Sequence, residues 1–303
     1  MAINSTTAAT QSTKGPIVWL DMDQKELDDA YDQTVYAPNQ PLLALRRKPA
    51  SQSVLQRFPP ERFAYGPGEI EKLDLFKTPR PMAPVMVFIH GGAWRNGTAK
   101  DFAFQAELYV NAGVNLVIVD FAQVQDIGGN LLPMAQQVRR AVAWVYKNAA
   151  SFGADANQLF ISGHSSGAHL AGCALVTDWQ KDYRLPANFI KGGLLVSGMY
   201  DLKPVRMSKR SQYVNFTDDI EQALSSQRHL DKLNAPIVVA YGTSETPEFQ
   251  RQSRDFAAAV KAADKPVELI VGAGFNHFEM QETLGNPYGI AGRAALKLMG
   301  LSV

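Results

Sequence analysis

The chain has 303 residues, 46% hydrophobic and 19% charged, which excludes the disordered, collagenous and fibrous classes and allows a substantial buried core. Thirty Lys and Arg against 29 Asp and Glu leave a net charge of +1, which supplies no field to hold nucleic acid or an anionic membrane surface. The single cysteine, Cys173, excludes an internal disulfide and a cysteine-based zinc cluster, and no apolar run reaches the ~18 residues of a membrane-spanning helix. A cytoplasmic protein acting on a small molecule, with neither nucleic acid nor membrane as partner, is the expectation; oligomeric state is not readable.

Residues 1–20 are rich in Ser, Thr and Ala, have no apolar signal region, and read as a flexible tail preceding one domain over 21–303. Residues 23–36 read as a polar helix, and 39–60 as an irregular basic segment bearing prolines. From Glu69 onward, short apolar runs alternate with longer amphipathic ones, the pattern of helices packed on a mostly parallel sheet. Strands are predicted at 72–76, 85–89, 115–119, 159–162, 193–196, 237–241 and 267–271. Runs such as VMVFI and IVVAY are continuously apolar because helices cover both faces of such a sheet.

Helices fill the intervals. Met134, Val138, Ala141, Val142 and Val145 recur at helical spacing within 132–150, and Phe249, Phe256 and Val260 do so within 249–263. The polar stretch 199–229 is too long for a simple connection and predicts a helical excursion or lid. Cys173 lies in the small-residue stretch AHLAGCAL and reads as a buried hydrophobe.

Gly163-His164-Ser165-Ser166-Gly167 is a G-x-S-x-G pentapeptide between a strand, QLFIS, and a small-residue helix. A sharp strand-to-helix turn holds such a serine in a strained conformation above the sheet, which makes Ser165 the candidate nucleophile. Seventy residues earlier a strand runs into His90-Gly91-Gly92-Ala93-Trp94. Glycines after a strand let backbone amides turn toward a developing oxyanion, so Gly92 and Ala93, with Ser166, are the candidate donors. His90 reads as structural. Trp94 lines the acyl pocket or packs the loop, and is the candidate substrate contact.

A serine nucleophile needs a base, and the base needs an acid to fix its tautomer. Of the five histidines, His277 alone follows a late strand in a flexible glycine-bearing turn; His169 reads as helix packing, and His229 has no catalytic context. The acid should leave the strand 237–241. Glu245 is the candidate and Glu248, at the head of the next helix, its rival, with a charge complementing the helix dipole as its other reading.

The segments HGGAW, SGHSSGAHLAG, YGTSETPEFQRQS and NHFEM, with AYDQTVYAPN near the start, resemble the kynurenine formamidase-like branch of the α/β-hydrolase esterases, over Glu69 to the C-terminus. The resemblance implies an α/β-hydrolase fold, a Ser165–His277–Glu245 triad, no metal or organic cofactor, and hydrolysis of small carboxylic esters or N-formyl aromatic amines. Many relatives carry aspartate in place of Glu245 and alanine in place of Ser166. The reading is a short-acyl or aryl carboxylesterase acting through an acyl-enzyme, with an arylformamidase for N-formylkynurenine as the alternative and a non-catalytic ligand-binding shell as the remote one. The motifs facing the site hold no Lys or Arg to meet an amino acid's carboxylate, leaving Arg95 and the 199–210 stretch as sources of one.

Overall fold

A computed structural model describes residues 14–302. Its strands are β1 (Ile17–Trp19), β2 (Met22–Asp23), β3 (Glu61–Ala64), β4 (Lys72–Phe76), β5 (Ala83–Ile89), β6 (Asn115–Val119), β7 (Ala154–His164), β8 (Ile190–Val196), β9 (Ile237–Gly242) and β10 (Val267–Gly272). Strands β3 to β10 form one eight-stranded sheet in the order β10-β9-β8-β7-β5-β6-β4-β3. Pairing is parallel from β6 through β10 and antiparallel only at β4 with β6 and β3 with β4. This is the expected mostly parallel sheet, extended by an edge strand, β3, that the sequence pattern did not reveal.

Alternation along each central strand divides the core into two layers. Val85, Val87 and Ile89 of β5, with Val117 and Val119 of β6, pack into one layer. Met86 and Phe88, with Leu116 and Ile118, pack into the other. Burial of each such side chain stabilises the fold by roughly 1.5–3 kcal/mol relative to exposure.

The helices are α1 (Gln24–Ala30), α2 (Gln40–Arg57), α3 (Ala106–Asn111), α4 (Leu131–Asn148), α5 (Ser166–Leu175), α6 (Trp179–Tyr183), α7 (Leu202–Met207), α8 (Asp218–Leu224), α9 (Pro247–Ala262), α10 (His277–Glu282) and α11 (Ile290–Leu298). Val138, Val142 and Val145 of α4, Ala168 and Ala171 of α5, and Phe256 and Val260 of α9 cover the first layer. Tyr109 of α3 and Ala291 and Leu296 of α11 cover the second. The expected stretch 199–229 folds into α7 and α8, and Leu202, Val205, Ile220 and Leu224 anchor it to the first layer.

Two segments depart from expectation. Of the expected tail, residues 1–13 lie outside the described residues, while Ile17–Trp19 pairs antiparallel with β2. The segment read as irregular is instead the eighteen-residue helix α2, with Pro49 inside it. Only Leu43, Ser51 and Val54 of α2 are buried, and the helix is held by polar contacts: Ser51 Oγ donates to the Asp101 carbonyl at 2.9 Å, and Arg46 pairs with Glu282 at 2.6 Å. A helix without an apolar stripe leaves no period to read.

Helix α5 crosses the end of β5 so closely that a Cβ on Gly167 would stand 2.1 Å from the Ile89 carbonyl oxygen. Gly167→Ala should therefore destabilise the protein by about 1–3 kcal/mol or more, as overpacking against backbone does. Thermal melting checks this; an unchanged midpoint would show that the crossing has room to relax.

Candidate active site

Strand β7 ends at His164 and α5 begins at Ser166, so Ser165 makes the whole turn. Its φ of 59° and ψ of −126° lie where glycine is favoured, a strain of order 1–3 kcal/mol that surrounding bonds must hold. The Ser165 N–H donates to the Val196 carbonyl at the end of β8 at 2.9 Å, and its own carbonyl accepts the His169 N–H at 3.1 Å. Ser165 is 6% exposed, and its exposed part faces a cavity of about 560 Å³ that is also lined by His277.

His277 is the first residue of α10, after the turn that follows β10. Asn276 caps that helix, accepting the Phe278 and Glu279 N–H groups at 3.0 and 3.1 Å, and it donates through Nδ2 to Asn39 Oδ1 at 2.7 Å. His277 Nδ1 stands 2.7 Å from Glu245 Oε2. The other carboxylate oxygen, Oε1, accepts the Ser197 hydroxyl at 2.6 Å and the Gly242 N–H at 2.7 Å. Glu245 is 1% exposed, and burial raises its pKa while the Ser197 and Gly242 bonds oppose the rise. With donors on both oxygens, the carboxylate form is the one this environment accommodates. Burial lowers the pKa of His277, and the positive charges of Arg210 and Arg47 lower it further, to about 3. The imidazole is thus neutral at ordinary pH, with Nδ1–H donated to Glu245 and Nε2 free to accept a proton. His164 supports it from behind, its Nε2 donating to the His277 carbonyl at 3.0 Å with ring centroids 4.5 Å apart.

The loop after β5 holds three consecutive residues at positive φ: Gly92 at 117°, Ala93 at 55° and Trp94 at 62°. Gly92 cannot be replaced without rearrangement, since a Cβ there would stand 2.0 Å from the Asn96 carbonyl oxygen. Neither Gly92 nor Ala93 has a backbone partner for its N–H among the described residues, and both line the cavity beside Ser165. The Trp94 N–H donates to Ser166 Oγ at 3.2 Å. The Ser166 hydroxyl therefore ties this loop to α5.

Trp94, expected against substrate, is not among the cavity-lining residues. It is buried, and Nε1 donates to His169 Nδ1 at 3.2 Å, so it packs the loop. His169 Nε2 in turn donates to the Leu224 carbonyl at 3.0 Å, and burial lowers its pKa to about 4. Cys173 is buried on the same helix, where desolvation raises its thiol to about 12. His90 is buried between the rings of Phe121 and Phe102, at 4.3 and 5.2 Å, and holds the loop through Nδ1 and the Gly91 carbonyl at 2.8 Å.

The two rival acids are separated. Glu248 is fully buried, but its partners are Arg251 at 2.6 and 2.8 Å and the Tyr31 hydroxyl at 2.8 Å; only Glu245 reaches His277. Glu248 stands in the first turn of α9, as the helix-end reading has it, and Tyr31, just past the end of α1, covers it. Ser197, Arg47 and Arg210 carried no motif. A positive φ of 55° at Ser197, just past β8, is a backbone feature that its residue type does not announce.

The family model described as BD-FAE matches residues 73–272. The kynurenine formamidase of Salmo salar is 34% identical over 248 residues, covering 78% of this chain and 81% of that protein. The isoprenylcysteine alpha-carbonyl methylesterase of Arabidopsis thaliana is 24% identical over 239 residues, covering 71% of this chain and 56% of that one. Among solved structures, esterase LipW from Mycobacterium marinum superposes with a TM-score of 0.67 at 18% identity, covering 88% of each chain.

The separation of the two glutamates predicts distinct outcomes. Glu245→Gln should lower kcat by ~10² to 10⁴, as loss of the group that orients a catalytic imidazole does. Glu248→Gln should leave kcat within a few-fold and cost on the order of 1–3 kcal/mol of stability by leaving Arg251 short of its charged partner. Kinetics and melting on both variants check this, and the opposite ranking transfers the role to Glu248.

Proposed function

Because the chain belongs to the BD-FAE family, in the kynurenine formamidase-like branch of the α/β-hydrolases, we propose that it is a serine hydrolase cleaving small carboxylic esters through an acyl-enzyme. The observation that carries this is the 2.7 Å contact of His277 Nδ1 with the buried Glu245 carboxylate, in a cavity that also holds the strained Ser165. In the proposed sequence His277 Nε2 takes the Ser165 hydroxyl proton as Oγ bonds to the substrate carbonyl carbon. The amides of Gly92, Ala93 and Ser166 meet the resulting oxyanion. The bond to the leaving group then breaks with proton donation from His277. Water, deprotonated by the same imidazole, releases the acid and restores Ser165. A second reading, hydrolysis of an aryl formamide, is favoured by the 34% identity to a kynurenine formamidase. It differs only in the leaving group, a nitrogen that His277 must protonate.

An uncharged fluorophosphonate should modify Ser165 alone, and Ser165→Ala should lose ~10⁴ to 10⁶ in kcat with its melting profile retained. Mass-spectrometric mapping of the adduct to another serine, or normal turnover by the alanine variant, would end the proposal. Hydrolysis of aryl esters of graded acyl length beside N-formylkynurenine on one preparation ranks the two readings.

The depressed pKa of His277 sets the pH dependence. The neutral imidazole is the base, so a lowered pKa keeps it active as pH falls below the ordinary histidine value of about 6.5. The acid limb of kcat/KM for an uncharged ester should therefore have its midpoint below 6.5. Arg47→Gln should move it upward, since removing a positive charge makes the imidazolium easier to form. A limb at or above 6.5 in the parent would contradict the proposed environment of His277.

A further inference from the structure

Asn96 is the only asparagine of the 303-residue chain that precedes a glycine, and it stands in the loop that carries Gly92 and Ala93. The pairing matters chemically. An asparagine carboxamide can close a succinimide ring with the backbone nitrogen of the next residue, and a glycine there has no side chain to screen that nitrogen. Asn96 is exposed, and its carboxamide makes no hydrogen bond among the described residues. The Gly97 N–H has no acceptor among them either, which leaves the nitrogen unengaged. Both residues line the Ser165 cavity.

The chain is anchored on both sides of that bond. Before it, the Asn96 N–H donates to the Gly92 carbonyl at 3.0 Å, closing the turn that holds Ala93 and Trp94 at positive φ. After it, Gly97 has a φ of 102° and lies so close to His90 that a Cβ would stand 2.9 Å from Nδ1, and the Thr98 N–H donates to Asp101 Oδ2 at 2.9 Å. A carbon added to the backbone between these anchors finds no slack, so the turn that presents the amides of Gly92 and Ala93 must shift. A carboxylate in place of the carboxamide also acts, because a negative charge at the cavity wall opposes a developing oxyanion.

We propose that Asn96 is a site of self-modification that disables this loop; its effect on activity rests on the serine-hydrolase reading of the same cavity. The Gly97 nitrogen, on losing its proton, bonds to Asn96 Cγ, the Cγ–Nδ2 bond breaks, and the nitrogen leaves as ammonia with that proton. Water then adds to either carbonyl of the succinimide. Opening at Cγ gives an aspartate. Opening at the backbone carbonyl gives an isoaspartate, whose chain runs through Cβ and Cγ and is longer by one carbon.

The test ages the full-length protein in mildly alkaline buffer and follows both chemistry and activity. Peptide mapping should show Asn96 converting faster than any other asparagine, at a rate that rises with pH, with isoaspartate detected by isoaspartyl methyltransferase labelling. Ester hydrolysis should decline in step. In a half-converted sample, the molecules that accept a fluorophosphonate at Ser165 should be those that retain Asn96, a comparison that needs no variant. Asn96→Gln, whose longer carboxamide closes a ring far less readily, should hold its own starting activity through the same incubation. Asn96→Asp, with the charge but not the added carbon, should begin about 10-fold lower in kcat, against ~10² or more for the isoaspartyl form, the size of losing one oxyanion donor. An Asn96 carboxamide still intact after other asparagines have converted, or isoaspartate at this position in molecules that label and turn over normally, overturns the inference. Fresh protein showing neither ester turnover nor labelling of Ser165 overturns the hydrolase reading instead, and the mapping still decides whether Asn96 converts.

Discussion

A carboxylate taken out of water must be met by donors, and at Glu245 those donors come from the ends of three neighbouring strands. Ser197 follows β8, Gly242 closes β9, and His277 stands past the turn after β10. The register of β8 with β9 and of β9 with β10 is therefore linked to the position of one imidazole. Further bonds tie the same loops: the Thr243 N–H reaches the Gly272 carbonyl at 2.9 Å, and the Ser244 N–H reaches the Phe275 carbonyl at 3.0 Å. Low dielectric makes each of these bonds stronger and each vacancy costlier, so the loops have one satisfactory arrangement. Within the Glu245 turn, Oε1 is bound by the Gly242 N–H, which leaves Oε2 to reach the imidazole.

The loop of Gly92, Ala93 and Trp94 is fastened differently. Three successive residues at positive φ cannot hold themselves, and the surroundings must impose the shape. His90 grips the loop from below through the Gly91 carbonyl, and Trp94 is drawn toward α5 by its amide bond to Ser166 and its indole bond to His169. The same helix that presents Ser165 thus positions the amides beside it. The proposed nucleophile and the proposed oxyanion donors share one support, and a shift of α5 would carry both together.

The parts legible in the sequence are those where one physical signal dominates. Buried parallel strands announce themselves as apolar runs, and the predicted strand at 85–89 lies within β5, all of which is buried. The strained serine is visible through the glycines that flank it. Strand β3 was not legible, because ERFA is mostly exposed at the sheet edge and carries no apolar alternation. Helix α2 was missed for the related reason that its contacts are polar, and a proline in its interior argued against it. Position after the β9 glycine favoured Glu245 over Glu248, but the contacts that separate them, His277 on Glu245 and Tyr31 with Arg251 on Glu248, arise only on folding. Arg47 and Arg210 are separated in sequence from every motif, and only folding brings them beside Ser165.

The polar attachment of α2 has a consequence for how the molecule opens. A helix held mainly by side-chain hydrogen bonds and ion pairs, with three buried residues in eighteen, contributes little of the apolar burial that makes unfolding cooperative. Its amides can exchange with solvent through excursions that leave the sheet intact, at a free-energy cost well below that of global unfolding. Such an excursion would uncover the wall of the cavity that Arg47 provides and would also free α10, which begins at His277, from the Arg46 and Arg47 side chains that hold Glu282 and Gln281. Access to the cavity and the seating of His277 are therefore linked through α2, while the turn that carries Ser165 is held separately, by the end of β8.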